Sequence, residues 1–125
     1  MKKLIVWTFL LAIMFNVNAQ LANTRWRNII NIPDPYETFL QFQKDTVTVN
    51  LVSDGTLIET MSYLTTRDTL RITKLFGNSP CDERVPGIYH FEINDDKLTI
   101  TLLSDDCAER ANALKTNNPW LKEKI

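Results

Sequence analysis

Two cysteines, Cys81 and Cys107, carry the widest choice of chemistry in this sequence of 125 residues. A nucleophilic thiolate needs a neighbouring base and a setting that stabilises its charge, whereas Cys107 lies in the acidic stretch "SDDCAER". A zinc site needs three or four protein ligands, and the chain offers two cysteines and one histidine. We therefore predict a Cys81–Cys107 disulfide bond, with a free or catalytic thiol and a metal ligand as the alternatives.

The single histidine, His90, limits the catalytic chemistry that the chain can support. It falls on the outward face of the alternating stretch "IYHFEI". A Ser-His-Asp triad is formally open to a chain with one histidine, but the sequence contains no G-x-S-x-G nucleophile elbow. With three glycines in all, a phosphate-binding glycine loop is also a poor fit. We therefore predict that the protein is not an enzyme, has no catalytic residue and needs no cofactor.

Acidic residues surround both cysteines and raise the question of a calcium site. They are Asp82, Glu83, Asp105, Asp106 and Glu109. Calcium takes 6–8 oxygen ligands, but no D-x-D-x-D-G loop is present. We prefer to assign these residues to a helix N-terminus, where Ser104 or Asp105 caps the first turn and Asp106 meets the positive end of the dipole. No metal site is predicted.

Glu59 is the acidic residue with the most interesting setting. In "LIETMSY" it alternates in phase with Leu57, Met61 and Tyr63. A period of two defines this face but does not say whether it points inward. An exposed Glu59 is one reading. If Glu59 is buried, it needs a partner such as Arg71, or a ligand, because an unpaired buried charge is unfavourable.

The elements that must position these residues are mostly strands. Alternation of apolar and polar residues is clear in "TVTVNLV" and "KLTITLL", and such alternation predicts strands with one buried face. Strands are predicted over residues 26–32, 37–43, 46–52, 56–64, 69–75, 88–93 and 97–103. Tight turns are predicted at "SDG", "TRD" and "NDD".

A helix is predicted over "CAERANAL", ending at "NNP", and the tail "WLKEKI" is either frayed or a last strand with an ordered Trp120. A meander of antiparallel strands leaves exposed edges unless it closes on itself. We therefore predict an all-β fold, a small up-and-down antiparallel β-barrel with one C-terminal helix. The long segment 77–87 connects two of the strands.

The N-terminal stretch "MKKLIVWTFLLAIMFNVNAQ" has the pattern of a signal peptide. Two lysines precede an apolar run, and a small-residue site ends at Ala19. The run is shorter than the roughly 20 residues that span a membrane, and a buried helix is the alternative. We predict a signal peptide over 1–19 and one domain over 20–125, periplasmic or secreted, without a membrane span after cleavage. An oxidising compartment also favours the disulfide.

The chain resembles the small bacterial lipocalin-like (calycin) proteins over residues 21–114. The resemblance rests on the tryptophan in "NTRWRNI", the hairpins of "DGTLIETMSYLTTRDTLRITKL" and the ending "SPCD…GIYHFEINDDKLTITLLSDDCAER". It implies a barrel whose first-strand tryptophan, Trp26, packs under a basic residue, Arg110 or Arg27. A guanidinium over an indole contributes about 0.5–2 kcal/mol.

Two functions follow from these expectations. The first is a binding module for a small apolar or amphipathic ligand. Its candidate ligand-binding residues are Trp26, Glu59, Met61, Tyr63, Arg71, Tyr89 and Phe91, with Phe39 or Phe42 as further lining. The second is a protein-interaction module, such as a secreted inhibitor, with a side-chain-filled barrel and segment 77–87 as the contact element. The net charge of −1 and the absence of a basic patch predict no nucleic-acid partner.

Overall fold

The computed structural model describes residues 20–125. The predicted signal peptide over 1–19 lies outside the described residues. The elements are β1 Thr24–Asn31, β2 Pro35–Phe42, β3 Thr46–Leu51, β4 Leu57–Thr66, β5 Thr69–Gly77, β6 Gly87–Asn94, β7 Lys97–Asp105, α1 Ala108–Leu114 and β8 Trp120–Glu123. The eight strands of this region form a closed barrel in which each strand is antiparallel to its neighbours. The predicted fold class is confirmed.

The alternating pattern buries one face of each strand, as predicted. In β3, Val47 and Val49 are buried, and in β7 the same holds for Leu98 and Ile100. Burying an aliphatic side chain of this size contributes about 1.5–3 kcal/mol. The barrel interior is therefore the main hydrophobic core of the domain.

The eighth strand closes the barrel. It is one of the two outcomes expected for the tail, and it raises the predicted strand number by one. Trp120 lies opposite Leu98 of β7, and Leu121 lies opposite Arg27 of β1. Because only 1% of Trp120 is exposed, its burial fixes a strand of only four residues. Helix α1 lies in the connection between β7 and β8.

The predicted tight turns join successive strands. Gly55, Arg67 and Asp95 have positive φ angles of 76°, 57° and 57°, which are the left-handed conformations that short turns demand. Among residues 20–125, no helix has both the length and the apolar character that a membrane-spanning helix requires.

The two ends of the barrel differ. We define the closed end as the one formed by the β2–β3, β4–β5 and β6–β7 hairpins. There the Phe42 ring lies edge-on to Tyr63, with 4.9 Å between centroids, and the Tyr63 hydroxyl donates to the Gln43 carbonyl. Burial, and to a smaller extent the negative charge of Asp45, raises the pKa of Tyr63 to about 12. Aromatic side chains therefore fill this end.

A candidate ligand site at the open end of the barrel

The opposite end, which we call the open end, contains a cavity of about 690 Å³. It is bordered by the β1–β2 connection, by the adjoining ends of β3 and β4, by residues 78–80 and by helix α1. Much of its lining is apolar, including Ile30, Val49, Leu51, Met61, Leu114 and Trp120. A cavity of this kind can hold a small organic molecule by contact with its apolar surface.

The sizes of the inward-facing side chains explain why the cavity lies at this end. Along β2 the buried residues decrease in size from Phe42 through Leu40 to Thr38. Along β1 they change from Trp26 to Ile30 in the same direction. On β1 and β2, large side chains therefore pack the closed half, whereas smaller ones leave space at the open half. The interior of a small eight-stranded barrel is filled either by its own side chains or by one small ligand.

Glu59 lies on the inner face of the barrel and lines the cavity, with 6% of the residue exposed. Its carboxylate accepts hydrogen bonds from the backbone N–H of Ser79, at 3.3 Å, and from the Ser79 hydroxyl. The buried alternative for this residue is therefore correct, and the exposed reading is wrong. Arg71 is not its partner, since Arg71 is exposed and lies opposite the exposed Leu64 on the outer face of the sheet.

Irregular strand pairing determines which β4 residues face inward. The register shifts between Val49 and Asn50 on one side, and between Thr60 and Met61 on the other. As a result Glu59, Thr60 and Met61 are all buried. Leu57, expected on the same face as Glu59, is 44% exposed. Irregularities of this kind bend a strand and redirect its side chains.

Gly77 makes room for the Glu59 carboxylate. The two residues are opposite each other in the β4–β5 pair. A Cβ at position 77 would overlap the carboxylate and would stand 2.8 Å from the Glu59 Cα. The φ angle of Gly77 is +145°, a backbone conformation that residues other than glycine rarely adopt. Glycine is therefore required on both counts.

We expect Gly77→Ala to displace the Glu59 carboxylate and to lower the free energy of unfolding by about 1–3 kcal/mol. Urea denaturation measures the loss. Gly55→Ala is the matched control, because Gly55 also has a positive φ, of 76°, but nothing lies within 4 Å of its added Cβ. Equal losses for the two variants would show that backbone strain alone is responsible.

Arg110, Asp105 and Tyr89 form a buried cluster beside the cavity. Arg110 Nε lies 2.6 Å from Asp105 Oδ2, and its Nη2 lies 2.7 Å from Oδ1. The two side chains are 4% and 0% exposed. Nη2 also donates to the Val85 carbonyl at 3.0 Å, and the Tyr89 hydroxyl donates to Asp105. The charge of Arg110 is thus compensated within the protein.

The hydrogen bonds of this cluster decide the protonation of Asp105. Burial by itself would raise the pKa of the Asp105 carboxyl, but donors from Arg110, Tyr89 and the Cys107 N–H outweigh it and hold the pKa below its ordinary value. The pKa of Tyr89 is raised, first by its burial and then by the Asp105 carboxylate. Asp105 is therefore the ionised acceptor of the cluster and Tyr89 a neutral donor.

The structure divides the predicted ligand-binding residues into three groups. Glu59 and Met61 line the cavity. Four others are buried in the barrel core but are not part of the cavity lining: Trp26, Tyr63, Tyr89 and Phe91. Arg71 lies on the outer surface. These four aromatic residues therefore contribute packing and polar support, and other residues line the cavity.

The cation over Trp26 is Lys122 of β8, whose amine lies 5.9 Å from the indole centroid. Arg110 is held by Asp105, and Arg27 pairs with Glu37 at 2.6 Å. The basic residue over Trp26 is therefore Lys122 and not Arg110 or Arg27. It lies on β8, the segment that the sequence predicted to be either a frayed tail or a last strand.

The Cys81–Cys107 disulfide is confirmed, with 5.5 Å between the Cα atoms. It joins segment 77–87 to the start of α1, and both elements border the cavity. The expected helix cap differs in detail. Cys107 occupies the N-cap position without a side-chain cap, and Asp105 accepts the Cys107 N–H at 2.8 Å. The disulfide therefore fixes the geometry of the cavity rim.

The acidic residues near the disulfide are distributed among separate partners. Asp105 binds Arg110, while Asp82 pairs with Arg84 at 2.9 Å on the surface. The hydrogen bonds from Arg84 lower the pKa of Asp82 to about 2. Within the described part of the chain, no group of three or more His, Cys, Asp and Glu side chains is placed to hold a metal ion.

Most residues of the cavity lining were not predicted, and Ser79 and Leu114 are two examples. Ser79 was treated as part of a connecting segment, and Leu114 as an ordinary helix residue. The only sequence signal for Ser79 is its place just before the disulfide-bonded Cys81, which restricts where the segment can lie. Leu114 is 4% exposed, and its apolar character on a short helix is the usual signal of an inward face.

Comparison of the chain with protein-family models, with curated proteins and with solved structures finds no significant match. The cavity and its chemistry are therefore the basis for a function.

Proposed function

We propose that this is an exported, lipocalin-like protein that binds a small apolar or amphipathic molecule in the cavity at the open end of its barrel. The observation that carries the proposal is the cavity itself, with a volume of about 690 Å³ and a largely apolar lining. Ligand pockets in proteins commonly measure about 300–1,000 Å³. A barrel filled throughout by its own side chains would have favoured the interaction module instead.

Two further observations support this proposal. The eight-stranded closed barrel with one C-terminal helix is compatible with a lipocalin-like fold. The formed disulfide fits an oxidising compartment. Because the disulfide and the packed closed end hold the cavity walls in place, a ligand would lose little binding energy to ordering the protein.

A second candidate function is protein interaction through segment 77–87. The observation in its favour is Arg84, whose side chain is 89% exposed on a disulfide-anchored segment. A segment held in this way loses little conformational entropy when it binds a partner. Residues 78–80 of this segment border the cavity but Arg84 does not, so the two functions are compatible in one molecule.

We expect the neutral apolar dye N-phenyl-1-naphthylamine to bind wild-type protein with increased fluorescence, and Ala113→Phe to weaken that binding at least about tenfold. Ala113 lines the cavity from helix α1, so a phenyl ring there occupies ligand space. Ala108→Phe is the matched control, since Ala108 is exposed on the same helix and is not part of the lining. Titration of the purified chain 20–125 gives the dissociation constants.

The carrier proposal fails if the dye does not bind the wild-type protein, or if the Ala113 variant binds it as tightly as the Ala108 variant does. Native mass spectrometry of protein purified from its exported compartment is the complementary measurement. A reproducible extra mass that is lost on denaturation would give the size of the natural ligand. The same spectrum reports whether cleavage occurs after Ala19.

A further inference from the structure

The charged residues of the cavity are unequally compensated. Glu59, Glu109 and Arg110 contribute to its lining. Arg110 is paired with Asp105, whose side chain is fully buried. Among the described residues, the hydrogen-bond donors to Glu59 are the backbone N–H and the hydroxyl of Ser79, both of which are neutral. Among residues 20–125, no ion pair within 4 Å joins Glu59 to a cation. Because Glu109 is exposed to solvent, Glu59 is the buried acidic group of this lining that has no cationic partner among the described residues.

Lys74, on the neighbouring strand β5, does not form an ion pair with Glu59. Its ammonium group donates to the carbonyl oxygens of Gly77, at 3.2 Å, and of Ser79. It holds the segment that covers Glu59, and it is not part of the cavity lining. The Glu59 carboxylate thus borders a largely apolar cavity and, within residues 20–125, receives hydrogen bonds from Ser79 alone.

This arrangement is incomplete by the usual rules for buried charge. A carboxylate has about four acceptor positions, and removing it from water is unfavourable unless a counter-ion or several donors replace the lost hydration. A charged partner at the same place gains from the weaker screening of the interior. A ligand that brings both a positive charge and N–H donors would satisfy Glu59.

We infer that the ligand is a cationic amphiphile, a primary or secondary ammonium group on an apolar body, with Glu59 as its counter-ion. This inference rests on the proposed carrier function and specifies its ligand class. The apolar body contacts residues such as Val49, Leu114 and Trp120, and the ammonium group lies against the Glu59 carboxylate. Ser79 fixes the carboxylate, and Gly77 leaves it room.

Three ligands with the same ten-carbon tail test the inference at neutral pH. They are decylamine, which is positively charged, decanol, which is neutral, and decanoate, which is negatively charged. We expect wild-type protein to bind decylamine at least about tenfold more tightly than either of the others. Displacement of N-phenyl-1-naphthylamine below the micelle concentration gives the three dissociation constants.

Glu59→Gln is expected to abolish the preference for decylamine while leaving the affinity for decanol unchanged within about threefold, because the amide keeps the size but not the charge. Glu92→Gln is the matched control. It removes the same charge from an exposed residue of β6 that is not part of the cavity lining, and it should retain the preference. Urea denaturation verifies that both variants are folded.

The outcomes separate this inference from the carrier function. If none of the three ligands and no dye binds, the carrier function itself fails. If decanol or decanoate binds wild-type protein as tightly as decylamine does, the carrier function stands and the cationic ligand is excluded. If Glu59→Gln keeps the preference, or Glu92→Gln loses it, Glu59 is not the specific counter-ion.

Discussion

The double variant Cys81→Ala, Cys107→Ala is expected to unfold with a free energy about 3–4 kcal/mol lower than that of the wild-type protein. The bond joins residues separated by 26 positions, and closing a loop of this length restricts the unfolded chain. Domains of this size have total stabilities of about 5–15 kcal/mol. The disulfide therefore accounts for a large part of the net stability.

The location of the bond adds a local effect. It joins the segment that carries Ser79 to the first turn of α1, so its loss releases two borders of the cavity at once. We expect dye affinity to fall in the double variant under conditions where the barrel is still folded. Segments with few other buried contacts are the first to open when a constraint is removed.

Urea denaturation with and without a reducing agent checks the disulfide prediction. Reduction should shift the wild-type midpoint toward that of the double variant and leave the double variant unchanged. A double variant with the wild-type midpoint and melting temperature would show that the bond does not stabilise the fold.

Much of the barrel could be predicted from the sequence because one face of each strand is buried. The strand predicted over 46–52 corresponds to β3, Thr46–Leu51, and the strand predicted over 97–103 corresponds to β7, Lys97–Asp105. Alternation and turn residues are local properties, so they can be read without knowing the partners. The short strand β8 lacks such a pattern, because its position depends on the burial of Trp120 against distant residues.

The site was less predictable because it depends on register. Alternation placed Glu59 in phase with Leu57 and Met61, but it gave neither the inward direction nor the irregular pairing that exposes Leu57. Arg71 was assigned to Glu59 for its charge, although the register places it on the outer face opposite Leu64. A shift of one position changes the face of a side chain, so polar pairs across strands require the structure.

Asp105→Asn is expected to lower the free energy of unfolding by about 3–5 kcal/mol at neutral pH, because it leaves the buried Arg110 without a counter-ion. The asparagine amide is also a weaker acceptor than the carboxylate for the hydrogen bond from the Tyr89 hydroxyl. Asp82→Asn is the matched control. It removes the same charge from an exposed pair with Arg84, where solvent screening makes the interaction weak, and little change is expected.

The loss caused by Asp105→Asn should depend on pH in a defined direction. The folded pKa of Asp105 lies below its ordinary value of 3.8, so the unfolded chain takes up this proton before the folded one does. The stabilisation is complete above about pH 5 and is lost as the pH falls through the lowered pKa. Because other carboxyls also titrate, the quantity to measure is the difference between wild type and variant in urea at pH 7, 5 and 3. A difference that stays constant over this range would show that the Asp105 charge does not stabilise the fold.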